Sequence, residues 1–357
     1  MPAFTFVDEP DTITSDLHAC THLGVDTEFI RERTFFAQLC LLQVAAPDRV
    51  YCIDPLAGNP MQSFWDETFR KTWVVHSARQ DIEVVFQSAG AIPSRLFDTQ
   101  IAAGLLGMQP QMGYAGLVKA LFDIDIPKSH TRADWSQRPL PDALLHYAVE
   151  DVEYLLPAHE LLVDRLQKAG RKEWAEQDSR LLLDESLYAF DEAQAIERLK
   201  GARNLRGRRR SVAERLAVWR ETEAARRNRP RQWILRDSAL LEIAQQLPET
   251  IAALRGVDGL PAKLVSRAGA ELLAVVARSA EDDHDYRPPP APNEQQKKLL
   301  KTMQAAVAKC AEELGISPEL VAPRRELSSV VLSSNTHSRV FQGWRRPLIG
   351  ERLLQLL

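Results

Sequence analysis

Two acids lie two residues apart in Asp26-Thr-Glu28, inside the apolar run Leu23–Phe29. The run has the length and composition of a β-strand, and alternate residues of a strand share a face, so the two carboxylates are expected side by side. Such a pair repels unless a cation or water separates it, and hard oxygen donors suit magnesium or manganese. A third acid, Asp81, falls in Val74–Val85, where a strand feeds a helix and the acid sits in the helix's first turns. Tyr147 and a fourth acid, Asp151, stand at i and i+4 in the helical segment His146–Leu155, hence on one face. A phenol beside a carboxylate at a metal site orients an attacking water through its hydroxyl. Taken singly, each feature has an ordinary structural explanation. The Asp-x-Glu spacing is common, Asp81 suits a helix N-terminus, and Tyr147 could simply pack on the core with Asp151 at the surface. Asp98 reads as a helix N-cap and a possible support, not as a metal ligand.

The elements that must position these groups alternate between strand-like and helix-like over the first ~170 residues. Leu23–Phe29, Ala37–Ala45 and Arg49–Asp54 read as strands, the last two paired antiparallel across Pro47-Asp48. Trp73–His76 reads as a fourth strand with a helix from about Ala78, and a short extended piece ends at Phe97-Asp98 before a helix over Thr99–Gly107. Pro141–Leu166 is helical, kinked or restarted at Pro157. The whole is a mixed α/β domain over residues 1–190. Beyond Tyr188 the strand signals stop. Val212–Arg227, Ser238–Gln246 and Leu264–Arg278 show helical periodicity and predict a helical domain over 205–285. The stretch Arg287-Pro-Pro-Pro-Ala-Pro292 reads as a stiff linker, and a second helical unit of similar size follows over 293–357.

A chain of 357 residues implies two or three domains. It has no run of 18 or more apolar residues, so no membrane span is expected. Its acidic N-terminus lacks a signal pattern, and its four cysteines lack metal-ligand spacing. A reduced, cytoplasmic monomer is the expectation. The net charge of −4 conceals an asymmetry, because Arg198–Arg236 holds 14 Lys/Arg against 3 acids, an excess of +11 that leaves −15 elsewhere. A local excess of this kind is a polyanion footprint, with a solvated helical face as the plain alternative. Arg206, Arg208, Arg209 and Arg210 have few acidic neighbours in sequence and are the candidates for nucleic-acid contact.

Together the Asp-x-Glu, the helical Asp and the Tyr-x-x-x-Asp occur in the order and spacing of the DEDD exonuclease superfamily, tyrosine subclass. The chain resembles the ribonuclease D family more closely still. Asp26–Leu39 is similar to that family's extended first motif, and Lys128–Leu140 to the segment before its third. Arg209–Ser279 resembles the helicase-and-ribonuclease-D C-terminal (HRDC) domain, through Trp219-Arg and Asn228–Leu240. The last 65 or so residues, with Gly343-Trp-Arg-Arg, resemble a more divergent second copy. The resemblance implies a ribonuclease H-like α/β exonuclease domain followed by two all-α helical domains. It further implies two magnesium or manganese ions held by Asp26, Glu28, Asp81 and Asp151, with Tyr147 aiming the water. The implied activity is hydrolysis from RNA 3′ ends releasing nucleoside 5′-monophosphates, on transfer RNA precursors with single-stranded 3′ tails. Gln38, His76, Gln80, Lys128 and Arg132 are candidates for contacts to the terminal nucleotide or backbone, with a structural hydrogen-bonding role as the equal alternative for each. Two alternatives stay open, a DNA 3′ exonuclease of repair and an inactive nucleic-acid-binding scaffold.

Overall fold

Among the described residues six strands form one sheet: β1 (Phe4–Val7), β2 (His22–Ile30), β3 (Gln38–Ala45), β4 (Val50–Ile53), β5 (Thr72–Val75) and β6 (Arg95–Asp98). Their order is β1-β4-β3-β2-β5-β6. β3 and β4 pair antiparallel, as the Pro47-Asp48 turn predicts, whereas β1–β4, β2–β5 and β5–β6 are parallel. β3 and β4 are buried at nearly every position, the pattern of strands covered on both faces. β1 is an addition to the sequence reading. Its four residues, Phe-Thr-Phe-Val, form an edge strand beside β4.

The computed structural model describes residues 3–127, 133–189, 195–279, 292–333 and 335–357. The described residues fall into two units. One comprises Met1–Ile30, Leu39–Tyr188 and Ala291–Leu357, and the other Arg31–Gln38 with Ala189–Pro290. Among the described residues no helix is long and apolar enough to cross a membrane.

In the sheet-bearing unit the helices that matter to the site are α1 (Arg79–Ala89), α2 (Thr99–Leu105), α3 (Tyr114–Phe122), α4 (Asp142–Glu153), α5 (Leu155–Lys168) and α6 (Lys172–Arg180). The expected restart near Pro157 falls between α4 and α5, with the proline in the first turn of α5, where a missing N–H costs nothing. Gly24 makes this packing feasible. A Cβ there would lie 3.1 Å from the Cβ atoms of both Ala45 and Leu155, so the bare backbone lets the start of α5 sit on β2.

The two helical stretches differ in company. The first carries α7 (Gly207–Arg227), α8 (Arg231–Ile234), α9 (Asp237–Gln246), α10 (Ile251–Arg255) and α11 (Ala262–Arg278) around a core that includes Leu216, Leu240, Leu254 and Leu272. The second begins with α12 (Glu294–Leu314), opened by a reciprocal capping box between Asn293 and Gln296. The Pro-rich linker read before it lies, up to residue 291, outside the described residues. This second stretch shares one hydrophobic core with the sheet-bearing unit, through Met303, Val307, Trp344 and Leu353. Arg345 and Asp178 form a bidentate ion pair there, at 2.6 and 2.7 Å, both nearly inaccessible. Trp344 stacks on Trp174 with ring centroids 4.6 Å apart, and its indole N–H donates to Asp178.

Candidate active site

Strand alternation in β2 sends Asp26 and Glu28 to one face, as their spacing predicts. α4 brings Asp151 to the same place, and a carboxylate oxygen from each of the three lies within 4.8 Å of the others. They line a cavity of about 300 Å³ together with Asp81, Tyr114 and Tyr147. Asp81, 7% exposed, sits on the first turn of α1, and its Oδ1 accepts from the Thr27 hydroxyl at 2.6 Å. Tyr147 donates its hydroxyl to Asp151 one turn on, and its ring lies 6.1 Å from that of Trp135.

The turn that delivers Asp81 is held by Asp98. Ser77 adopts φ 64°, a left-handed conformation unusual for serine. The carboxylate of Asp98 accepts from the backbone N–H of Ser77 and Ala78, and also caps α2 through Gln100 and Ile101. One buried side chain thus anchors two helix starts, in keeping with its reading as cap and support.

Four carboxylates in one cavity set its electrostatics. Burial, reinforced by Asp151 and Asp81, pushes Glu28 up to about 8. Asp81 and Asp151 rise to about 7, each mainly through burial. Asp26 is held well above the usual carboxylate range by burial and by all three other acids. A cluster of all-oxygen donors this reluctant to ionise alone is suited to a hard divalent cation, which favours the charged form of every member.

The other expected contacts fare unevenly. Gln80 is exposed on the cavity wall. His76 also lines the cavity, but its ring is committed to the fold. Nε2 donates to the Met112 carbonyl at 2.8 Å and Nδ1 meets the Thr99 hydroxyl at 2.9 Å, so only the ring face is offered. Gln38 is exposed at the start of β3 and is not among the residues lining the cavity. Lys128 and Arg132 lie outside the described residues. Of the four arginines, Arg206 and Arg209 are exposed and Arg208 is half-buried, donating to the Val276 carbonyl. Arg210 is a correction to the surface reading. It is 7% exposed, ion-paired to Glu214 at 2.6 Å and bonded to the Ala202 carbonyl, so its guanidinium serves the helical core. Thr27 and Tyr114 are members of the site that the sequence did not single out. Thr27 was hidden between the acids, and Tyr114 has no acid at helical spacing to flag it. The Tyr114 hydroxyl accepts from the Tyr154 N–H at 2.9 Å, at the junction of α4 and α5.

A mixed sheet that presents clustered carboxylates and a phenol in one cleft fits a class, the metal-dependent nucleases. Comparison with known families agrees. A 3′-5′ exonuclease family matches residues 3–168, the HRDC domain 209–276, and the C-terminal HRDC domain of ribonuclease D 295–353. Ribonuclease D of Gluconacetobacter diazotrophicus is 36% identical over 350 residues, covering 94% of this chain and 87% of that protein. Ribonuclease D of Jannaschia sp. is 38% identical over 349 residues, covering 94% and 90%. The crystal structure of Escherichia coli RNase D, an exoribonuclease involved in structured RNA processing, superposes with a TM-score of 0.89 at 27% identity, covering 99% of this chain and 98% of that one. The chain belongs to the ribonuclease D family and is a divalent-metal-dependent 3′-5′ exoribonuclease. The repair nuclease and the inactive scaffold are set aside by that membership.

Proposed function

We propose that this enzyme trims the 3′ ends of transfer RNA precursors with two divalent ions held by Asp26, Glu28, Asp81 and Asp151. The observation that carries the reading is the meeting of Asp26, Glu28 and Asp151 within 4.8 Å at the wall that Asp81 and Tyr147 share. Bound there, magnesium or manganese supplies positive charge against the attacking and leaving oxygens and acidifies water for attack. The protein's share is geometric. β2, α1 and α4 fix the acids, Thr27 fixes the rotamer of Asp81, and Trp135 beside the Tyr147 ring holds the hydroxyl at one point from which it aims the water.

A cavity of about 300 Å³ takes one nucleotide and not a duplex, which supports a single-stranded 3′ tail as the segment that enters. The helical unit would hold the structured body, with exposed Arg206 and Arg209 as phosphate contacts. The description of the Escherichia coli relative as acting in structured RNA processing supports such a substrate. The test is digestion of a precursor with a 3′ tail beyond a stem. Nucleoside 5′-monophosphates should be released until the stem is reached, and internal cuts in a circular RNA would contradict the reading.

A further inference from the structure

The seven tryptophans are placed very unevenly. Six are buried or half-buried, whereas Trp233 of the helical unit is 60% exposed, the most open large apolar side chain among the described residues. The local chain explains why. α8 is a single turn whose Ile234, with the following Leu235, is buried in the core. Trp233, one step of ~100° around the helix, therefore faces out beside exposed Gln232. The turn is well held. The Trp233 N–H donates to the Pro230 carbonyl at 2.8 Å, and the Gln232 side chain accepts from the Asp237 N–H at 3.2 Å. The Leu235 carbonyl and the Asp237 carboxylate are in turn bound by the buried Arg220. Trp233 forms one wall of a cleft of about 620 Å³, shared with Gln232, Arg236, Gly259 and Pro261 and with no acid in its lining. Arg236 is exposed there, and exposed Arg229 immediately precedes Pro230 at the start of the turn. Arg231, between them, is committed to Glu221 at 3.1 Å.

We propose that Trp233 is a stacking platform for one unpaired base of the RNA, with Arg229 and Arg236 on the neighbouring phosphates. The inference deepens, and rests on, the reading of the helical unit as the part that grips RNA. Chemistry selects the occupant. An indole face stacks on any nucleobase, and guanidinium groups beside it supply the charge a phosphate backbone needs. The surrounding stretch Arg198–Arg236 carries an excess of +11, which favours a polyanion over an apolar protein segment. A paired base is already stacked within its own helix, so the ring takes a base from a loop or a tail and not from a stem. Because the turn is fixed before RNA arrives, little ordering cost is set against the contact.

The test uses the full-length protein in chelator, where RNA is not digested, with a short oligouridylate and a blunt RNA duplex of equal length as probes. Trp233→Ala should weaken oligouridylate binding about tenfold at low and at moderate salt, and Trp233→Phe should restore it to within about threefold, since a ring face remains. Arg229→Ala with Arg236→Ala should instead lose affinity mainly at low salt, with a logarithmic salt dependence shallower by up to ~0.7 per lost contact on a single strand. Duplex binding should be untouched by Trp233→Ala. Iodide quenching of the wild-type tryptophan fluorescence, which reads the exposed ring, should fall when oligouridylate binds, and this readout needs no variant. Unchanged oligouridylate affinity in folded Trp233→Ala, or an equal loss for strand and duplex, would overturn the inference. So would a wild type that sediments as a dimer beside a monomeric Trp233→Ala, which would assign the ring to a second copy of the chain. If Arg206→Ala with Arg209→Ala binds structured RNA as tightly as wild type, the grip reading falls and this inference with it. Weakened binding in that variant beside an unaltered Trp233→Ala would refute the stacking platform alone.

Discussion

Replacing Asp81 by Asn should make the metal-free protein more stable while it destroys the enzyme. Asp81 is buried, and its carboxyl is raised to about 7 chiefly by that burial, with Asp98 adding to it. The unfolded chain loses the same proton near the ordinary value of about 3.9. Between these two values the native state binds a proton that the unfolded state does not, so stability falls as pH rises through that window. About three pH units at ~1.4 kcal/mol each set an upper bound near 4 kcal/mol above pH 7, and relaxation of the neighbouring acids brings the expected effect to roughly 2–4 kcal/mol. Asparagine is uncharged, nearly the same shape, and still accepts from the Thr27 hydroxyl. With a chelator present, Asp81→Asn should melt higher than the wild type at about pH 8, by ~2–4 °C per kcal/mol, and with no gain near pH 4. Saturating magnesium should then stabilise the wild type more than the variant, because only the wild type gains from neutralising four acids. Calorimetry in chelator and in magnesium at both pH values decides it. A variant less stable than wild type at pH 8 without metal, or one that magnesium stabilises equally, would refute the claim that this cluster is strained until cations enter.

Tyr147→Phe should lower kcat about 10²-fold with magnesium and RNA affinity nearly unchanged, since the ring beside Trp135 remains and only the hydroxyl goes; single-turnover rates alongside RNA binding would check it. Arg345→Met leaves Asp178 buried and unpaired, and should cost about 3–5 kcal/mol of stability with turnover preserved below the melting point, read by denaturant unfolding. Arg206→Ala with Arg209→Ala should weaken binding to a structured RNA and make its logarithmic salt dependence shallower by up to ~0.9 per lost contact on a duplex, whereas Arg210→Ala should chiefly destabilise the helical unit.

The acids and the phenol were legible because their geometry is local. Alternation within β2 and the i, i+4 step within α4 need no knowledge of the fold, and Asp98 before Thr-Gln carries the signature of a cap. What stayed hidden depends on distant partners. A charge count cannot tell that Arg220 is fully buried, donating to the Leu235 carbonyl and paired with Asp237, or that Arg226 and Arg227 both close on Glu223. Part of the basic stretch, Arg210 and Arg220 above all, is therefore spent inside the helical unit, while Arg206, Arg209 and Arg229 are displayed. His76 reads in sequence as a candidate substrate contact or a structural hydrogen-bonder, and the Met112 carbonyl, 36 residues on, shows it to be the latter. The alliance of the last helical stretch with the exonuclease core rests on Arg345 and Asp178, 167 residues apart, and no pattern within either segment announces it. β1 escaped because four residues at a sheet edge carry too little periodicity to register.

The most direct test of the central claim is a time course on 5′-labelled RNA with a single-stranded 3′ tail, run for wild type and Asp151→Asn with magnesium and with a chelator. The wild type should shorten the RNA one nucleotide at a time from the 3′ end, release nucleoside 5′-monophosphates only when magnesium is present, and halt at the stem, while the folded variant leaves the RNA intact. Shortening by Asp151→Asn at the wild-type rate, or by either protein in chelator, would contradict the assignment of the acidic cavity as the metal-dependent catalytic centre.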